Sequence, residues 1–398
     1  MGPAGPAAVL RWAIAGLGTA AGMMLPAILK HPQARLTGAA DTDPEALDRF
    51  RRDFEVETFQ SVEALCASPS VDVVYIATPT PCHTAHALMA IDRGKHVVVE
   101  KPMALTLADA DAMIQAAERR GVVLVVGHSA SFEAPVRTMR EIVASGTLGP
   151  LRMLHNWYFS DWLYRPRLDE ELDTRQGGGV TFRQGSHQFD ILRLIGGGLV
   201  RSVRAMTGVG DARRPTEDRH VVYLEFEDGT PATAVYSGAD HFPTTELTFG
   251  IGEQGHRAGE TEPGRARQAL AGLGGADAET RLKRAGRYGG SRARRAAQPA
   301  PHPPFFGLTL VACEKGDIRQ SPDGLSIYGD GGIEQVPLAT DETGRDAVVR
   351  ELYDAVHGRP PTHGGRWGKA TLEVCLAVLA SARERREVFL SHQTPTIE

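Results

Sequence analysis

Two residues of this 398-residue chain have the type and setting for proton chemistry, Lys101 and His187. Lys101 lies in Glu100-Lys101-Pro102, at the end of the apolar run KHVVVEK (95–101). Pro102 fixes its own φ and pushes Lys101 toward an extended conformation, so the ammonium projects from a strand end. His187 closes the run Gly177-Gly178-Gly179-Val180-Thr181-Phe182-Arg183-Gln184-Gly185-Ser186-His187. An imidazole titrates near pH ~6.5, which suits a general base. Asp190, about one helical turn on, is placed to orient His187 or to pair with another neighbour.

A second constellation lies near the N-terminus. Gly16-Leu17-Gly18-Thr19-Ala20-Ala21 follows a strand pattern and opens a helical one. Gly16 permits the tight turn, Gly18 lets backbone approach a pyrophosphate, and small Ala21 lets helix and strand pack closely. The amides of Thr19 and Ala20 then belong to a helix N-terminus, a ready anion site. The next strand pattern ends in Asp41, about 20 residues on, where a carboxylate holds the adenosine ribose hydroxyls. Asp41 and Asp43 would repel a 2′-phosphate, so NAD is expected rather than NADP. Thr78 and Pro79 end the strand VVYIAT and are expected to wall the nicotinamide side. His83, just beyond, faces the cofactor or caps a helix. A lysine near a positive nicotinamide has a lowered pKa. Glu100 and Lys101 are placed at the cofactor's redox end by their position at a strand end.

These residues need a scaffold. Up to about residue 126, Val/Ile-rich runs (9–18, 35–41, 71–78, 95–101, 122–127) alternate with helical patterns (26–31, 44–54, 85–94, 107–121). Runs of this kind are strands buried on both faces of a doubly wound parallel sheet. From 127 to 398, a helical pattern at 135–149 is followed by alternating stretches at 151–159, 200–208, 219–229, 230–240, 245–253, 305–313 and 325–329. They predict an α/β unit with an open, mostly antiparallel sheet, closed by a helix over 369–387. The expected division is therefore a dinucleotide-binding domain over 1–126 and a catalytic domain over 127–398. Residues 1–8 read as a leader without fixed structure. Residues 255–304 are rich in Ala, Gly, Arg and Pro, and read as a mobile insertion or as a basic lid drawing in an anionic substrate.

Composition narrows the function classes. Apolar residues make up 42% and charged residues 23%, and the net charge is -5, so neither nucleic acid nor an anionic membrane is an expected partner. Four cysteines, none in a C-x-x-C pair, imply no zinc site, no other metal and no disulfide scaffold. A reducing cytoplasm fits, and no apolar run is long enough to span a bilayer.

The N-terminal GLG, the ATPTPCH turn, AIDRGKHVVVEKP and GGGVTFRQGSHQFD together resemble the Gfo/Idh/MocA family of NAD(P)-dependent oxidoreductases. The resemblance implies a Rossmann domain followed by an α/β domain that carries substrate and often forms homo-oligomers. It also implies that Lys101 polarises the reacting oxygen or moves its proton, and that His187 is the general acid/base. Many members carry an Asp where this chain has Arg183. That reversal of charge calls for an anionic partner: a substrate carboxylate, bound for roughly 1.5–3 kcal/mol, or a protein acid such as Asp190 or Glu100. Trp162, Tyr164 and Arg165 supply aromatic walls and a further cation. His128 and Ser131 stand where sugar-oxidising relatives carry an Arg, and are expected to touch substrate. These departures resemble the branch that oxidises phthalate-type cis-dihydrodiols, which implies a small anionic diol, precursor of an aromatic ring, as substrate. A polyol, inositol or sugar dehydrogenase, an NAD-dependent glycoside hydrolase and a non-catalytic NAD-binding regulator are the alternatives.

Overall fold

The computed structural model describes residues 8–259, 262–292 and 300–397. The expected leader, apart from Ala8, and Arg294 and Arg295 of the basic segment lie outside the described residues.

The chain begins β1 (Leu10–Ala15), α1 (Thr19–Lys30), β2 (Ala34–Ala40), α2 (Pro44–Phe54), β3 (Glu57–Phe59) and α3 (Val62–Ala67). It continues β4 (Val73–Ile76), α4 (His83–Asp92), β5 (His96–Val99), α5 (Leu107–Arg120) and β6 (Leu124–Val126). The six strands pair in parallel in the order β3-β2-β1-β4-β5-β6. The order reverses direction beside β1, and the crevice at that switch point is where such sheets bind dinucleotides. Burial on both faces explains the Val/Ile runs, since every residue of Val73–Ile76 is buried.

The second sheet is built from β7 (Leu151–Phe159), β8 (Val200–Gly208), β9 (Arg219–Phe226), β10 (Pro231–Ser237), β11 (Leu308–Cys313), β12 (Gly316–Ser321), β13 (Gly324–Gly329), β14 (Gly332–Pro337) and β15 (Val388–Phe389). Its order is β14-β13-β12-β11-β7-β10-β9-β8-β15, antiparallel at every described pairing except β7 with β10. Strands β9 and β10 alternate buried and open residues, as a sheet covered on one face requires. Helices α6 (Ala134–Ser145), α7 (Ser186–Ile195), α10 (Gly344–Val356) and α11 (Gly365–Glu384) complete the body. Trp367, Leu372, Val374 and Cys375 of α11 belong to one apolar core that runs from Val97 and Val99 of the first sheet to Val222 and Leu224 of the second. Helix α10 returns to the first sheet, where Ala347, Val348 and Leu352 pack with Ile14 and Met24.

Two expectations change. The stretch 245–253 is not a strand: it is a short turn (Thr244–Leu247) followed by Phe249 and Gly250, both at positive φ. Its apolar alternation is real, but that backbone cannot continue a ladder. The insertion is not a free loop either. Its described part contains α8 (Arg265–Ala271) and α9 (Ala276–Arg284); α9 docks on the second half through Glu279, and Tyr288, just after it, docks on the first through Asp53.

Candidate active site

The glycine loop takes the shape a dinucleotide needs. Gly16 has φ +93°, and a Cβ there would sit 2.9 Å from the Ala77 carbonyl oxygen, so only glycine closes the turn. A Cβ on Gly18 would meet nothing nearer than 3.9 Å, leaving the backbone open to a ligand. Helix α1 starts at Thr19 and Ala20 with no side-chain cap, so its first amides and positive dipole end are available to a pyrophosphate. Asp41 follows β2 and accepts the Leu17 N–H at 2.7 Å and the Asp43 N–H at 2.9 Å. Each carboxylate oxygen keeps a lone pair for a ribose hydroxyl. These residues fit NAD.

Thr78 and Pro79 lie after β4, and the Thr78 hydroxyl meets His86 Nδ1 at 3.0 Å. His83 does not face the cofactor. It is 1% exposed, and its two ring nitrogens lie 2.9 Å from the Pro102 carbonyl and 2.8 Å from the Thr78 carbonyl. It staples the Thr78 turn to the Lys101 turn. Glu100 accepts the hydroxyl of the fully buried Tyr75 at 2.5 Å, so its carboxylate is committed to the Rossmann interior and acts on Lys101 through its charge.

Lys101 and His187 come together across the two units. A π-helical turn, Thr181–Gly185, leads into α7 and directs the Arg183 carbonyl at Lys101 Nζ, 2.5 Å away. Such turns recur at functional sites. Gly177, at φ +78°, lets this segment close on the cofactor side, where a Cβ would be 2.9 Å from Thr80. Burial brings the Lys101 ammonium down to about 8, with Glu100 opposing and Arg183 adding to the effect. Burial, with Lys101 and His128 nearby, holds the His187 imidazole well below its ordinary value and therefore neutral. His187 Nδ1 is buried and has no partner among the described residues. The ring lies 4.9 Å from that of Phe306, which in turn lies 5.2 Å from Tyr158.

Arg183 has a protein partner, though neither Asp190 nor Glu100. Its Nη2 is 3.1 Å from Glu171, and its Nη1 is 3.5 Å from the Thr80 hydroxyl. The same carboxylate meets Arg167 at 3.4 Å and Lys283 of α9 at 3.0 Å. Burial alone would raise the Glu171 carboxyl, but Arg167, Arg183 and Lys283 outweigh it and hold the group at about 2. Three cations thus share Glu171, while Glu279 takes Arg214 and the Arg167 N–H, and Glu253 opposes Arg183 in its effect on Lys101. Arg183 retains 25% of its side-chain exposure, so it can still reach a ligand.

Several expected contacts fall elsewhere. Trp162 and Tyr164 are core, 2% and 7% exposed, and the guanidiniums of Arg167 and Arg267 cover their faces at 3.9 and 3.6 Å. Phe306 provides the ring beside His187 instead, and Tyr158 packs against Phe306 at 5.2 Å. Arg165 pairs with Asp161 at 2.7 Å and, with Tyr158, lines a cavity of about 230 Å³ that does not reach Lys101 or His187. His128 is 2% exposed, and its ring stands edge-on to that of His187 at 6.5 Å. Asp190 does not touch His187. It accepts from Ser131, from Trp367 Nε1 at 2.6 Å and from Thr371 at 3.1 Å, locking α7 to α11. Ser131 is fully buried in that network. Among the described residues no group of side chains could hold a metal ion, and no helix is long and apolar enough to cross a membrane.

Residues 10–128 match the oxidoreductase family with an NAD-binding Rossmann fold, and residues 136–256 match the GFO/IDH/MocA C-terminal domain. A 1-carboxy-3-chloro-3,4-dihydroxycyclohexa-1,5-diene dehydrogenase of Comamonas testosteroni is 37% identical over 94% of this chain and 95% of its own length. The mouse trans-1,2-dihydrobenzene-1,2-diol dehydrogenase is 27% identical over 61% of this chain and 72% of its own. A solved structure from Bordetella bronchiseptica RB50 superposes with TM-score 0.90 at 41% identity, covering 96% of this chain and 100% of that one. A cleft built for NAD, joined to a lysine and a histidine that can move a proton, is thus found in a chain that belongs to the GFO/IDH/MocA family of NAD(P)-dependent dehydrogenases.

Proposed function

We propose that this dehydrogenase oxidises a carboxylated cis-dihydrodiol of the 4,5-dihydro-4,5-dihydroxyphthalate type to the aromatic diol. The observation that carries the reading is partly open Arg183, which shares Glu171 with Arg167 and Lys283 at the edge of the Lys101–His187 cleft. A neutral polyol has no use for it. The Comamonas relative, whose name describes a carboxylated dihydroxycyclohexadiene, points the same way.

NAD, when bound, supplies the hydride acceptor. Lys101, at about 8, has a neutral fraction near physiological pH and takes the hydroxyl proton as the carbinol hydride leaves. His187, held neutral, positions the carbinol by hydrogen bonding. Arg183 binds the ring carboxylate through donors that Glu171 leaves free. The ketone so formed enolises to the aromatic diol, so one base near one ring carbon suffices. Asp41 and Asp43 favour NAD over NADP by repelling a 2′-phosphate. The open face of the second sheet, with Met153, Met206, Val221 and Tyr223 exposed, supports a homo-oligomer. Light scattering of the eluting protein checks it.

The test of the function is a panel of cis-dihydrodiols with two, one or no ring carboxylates, plus inositols, followed by NADH absorbance. The expected result is turnover that falls as carboxylates are removed. Turnover of inositols without turnover of any carboxylated diol would overturn the reading.

A further inference from the structure

The segment that begins with α9 and runs on to Tyr288 is anchored at two places, through Glu279 and Lys283 of the helix on the substrate side and through Tyr288, beyond its end, at the glycine loop. On the substrate side, Glu279 accepts from Arg214 at 2.8 and 3.1 Å and from the Arg167 N–H at 2.7 Å. Lys283 reaches Glu171, the carboxylate that also holds Arg183 near Thr80. On the cofactor side, Tyr288 donates its N–H to the carbonyl of Leu17, inside the glycine loop, at 3.3 Å. Its hydroxyl donates to Asp53 at 2.5 Å, and its ring packs on Phe50 and Phe54 of α2 at 5.1 and 6.0 Å. The carboxyl ends of β1 and β4 lie between Leu17 and Thr80, and a dinucleotide bound to this sheet must run along that edge. A segment fixed at Thr80's neighbours and at Leu17 therefore crosses it.

We infer that residues 276–292 form a strap that closes the dinucleotide cleft, with Tyr288 as its latch, so that NAD and NADH exchange only when the latch lifts. The chemistry of the contacts supports a reversible closure. The anchors are a few ion pairs, one backbone hydrogen bond to the loop and one half-buried ring, not a continuous apolar core. Local openings of such segments cost far less than global unfolding. Helix–loop lids of this kind often limit turnover through product release. The strap also links the two sites physically: Lys283 shares Glu171 with Arg183, so an anion drawn to Arg183 acts on the strap's own anchor. The inference rests on the NAD site alone and stands whichever diol is oxidised.

Two measurements test it. In stopped-flow fluorescence, Tyr288→Ala is expected to accelerate both NADH binding and NADH release about tenfold, equivalent to about 1.4 kcal/mol of latch. Both rates within twofold of the parent, in a variant whose thermal midpoint is retained, would overturn the inference. In the unaltered protein, saturation with NAD is expected to slow amide hydrogen exchange across 276–292. Unchanged exchange there would overturn it as well, and this arm does not depend on the variant folding.

Discussion

The dinucleotide side of the cleft is made largely of backbone, whereas the substrate side is made of charged side chains. At the first, a glycine turn, an uncapped helix end and one carboxylate define the ligand, and nearly all of it follows from a few consecutive residues. At the second, Arg167, Glu171, Arg183 and Lys283 come from three separated segments and balance one another in a partly dry environment. Most side-chain substitutions leave backbone donors in place, so cofactor binding tolerates changes away from the Gly16 turn. A shared carboxylate can be deleted, so substrate recognition is fragile, and it is also where relatives of one fold can diverge.

The largest effect is expected where the two sides meet. Lys101→Met removes the proton acceptor and should lower kcat by about a thousandfold, within the range for general-base catalysis. In the parent, kcat/KM should rise with pH and level off above about 8, because the neutral amine is the active form. The variant should lose that inflection. A parent profile flat between pH 6 and 10 would assign the proton to another group.

Glu171→Gln tests the fragile side. It leaves Arg167, Arg183 and Lys283 without their common acid, and removing one partner of a buried cluster costs about 3–5 kcal/mol. Urea denaturation should show that loss at neutral pH. The Glu171 carboxyl is held at about 2, below its unfolded value, so its contribution is full above about pH 4.5 and disappears as pH falls toward 2. A midpoint unchanged by the substitution would mean the cluster contributes nothing to stability. On the robust side, Asp41→Ala should erode the preference for NAD over NADP by about tenfold while NAD still binds, since the glycine loop and α1 remain. An unaltered preference would move discrimination to other residues.

The same contrast decides how much was legible in the sequence. Gly16, Gly18 and Asp41 act locally, through turn geometry and helix ends, so their spacing speaks directly. Lys101 and His187 were legible through the short motifs that carry them, but their approach depends on a wide turn at 181–185 that no periodicity reveals. Trp162 and Tyr164 misled because an aromatic next to arginines suits a core stacked under guanidinium as well as a ligand wall. Phe306, the ring beside His187, and Tyr158, packed on it, sit in runs that read as ordinary strands. Glu171 was invisible as the partner of Arg183 because choosing one acid among many requires the fold. The Ala- and Arg-rich insertion looked mobile, yet Ala, Leu, Arg and Lys are also good helix formers, and α8 and α9 use them so. The polar β12 and the exposed edge strand β14 lack the apolar alternation that marks their neighbours.

The central claim is that cations at the cleft select a carboxylated diol. The direct measurement is the ratio of kcat/KM for a dicarboxylated cis-dihydrodiol to that for its uncarboxylated counterpart, in the parent and in Arg183→Ala. A charge-assisted bond of roughly 1.5–3 kcal/mol predicts that the ratio collapses by about tenfold or more, mainly through KM for the dicarboxylate. The same ratio in both proteins would contradict the account and leave Arg183 as a structural partner of Glu171.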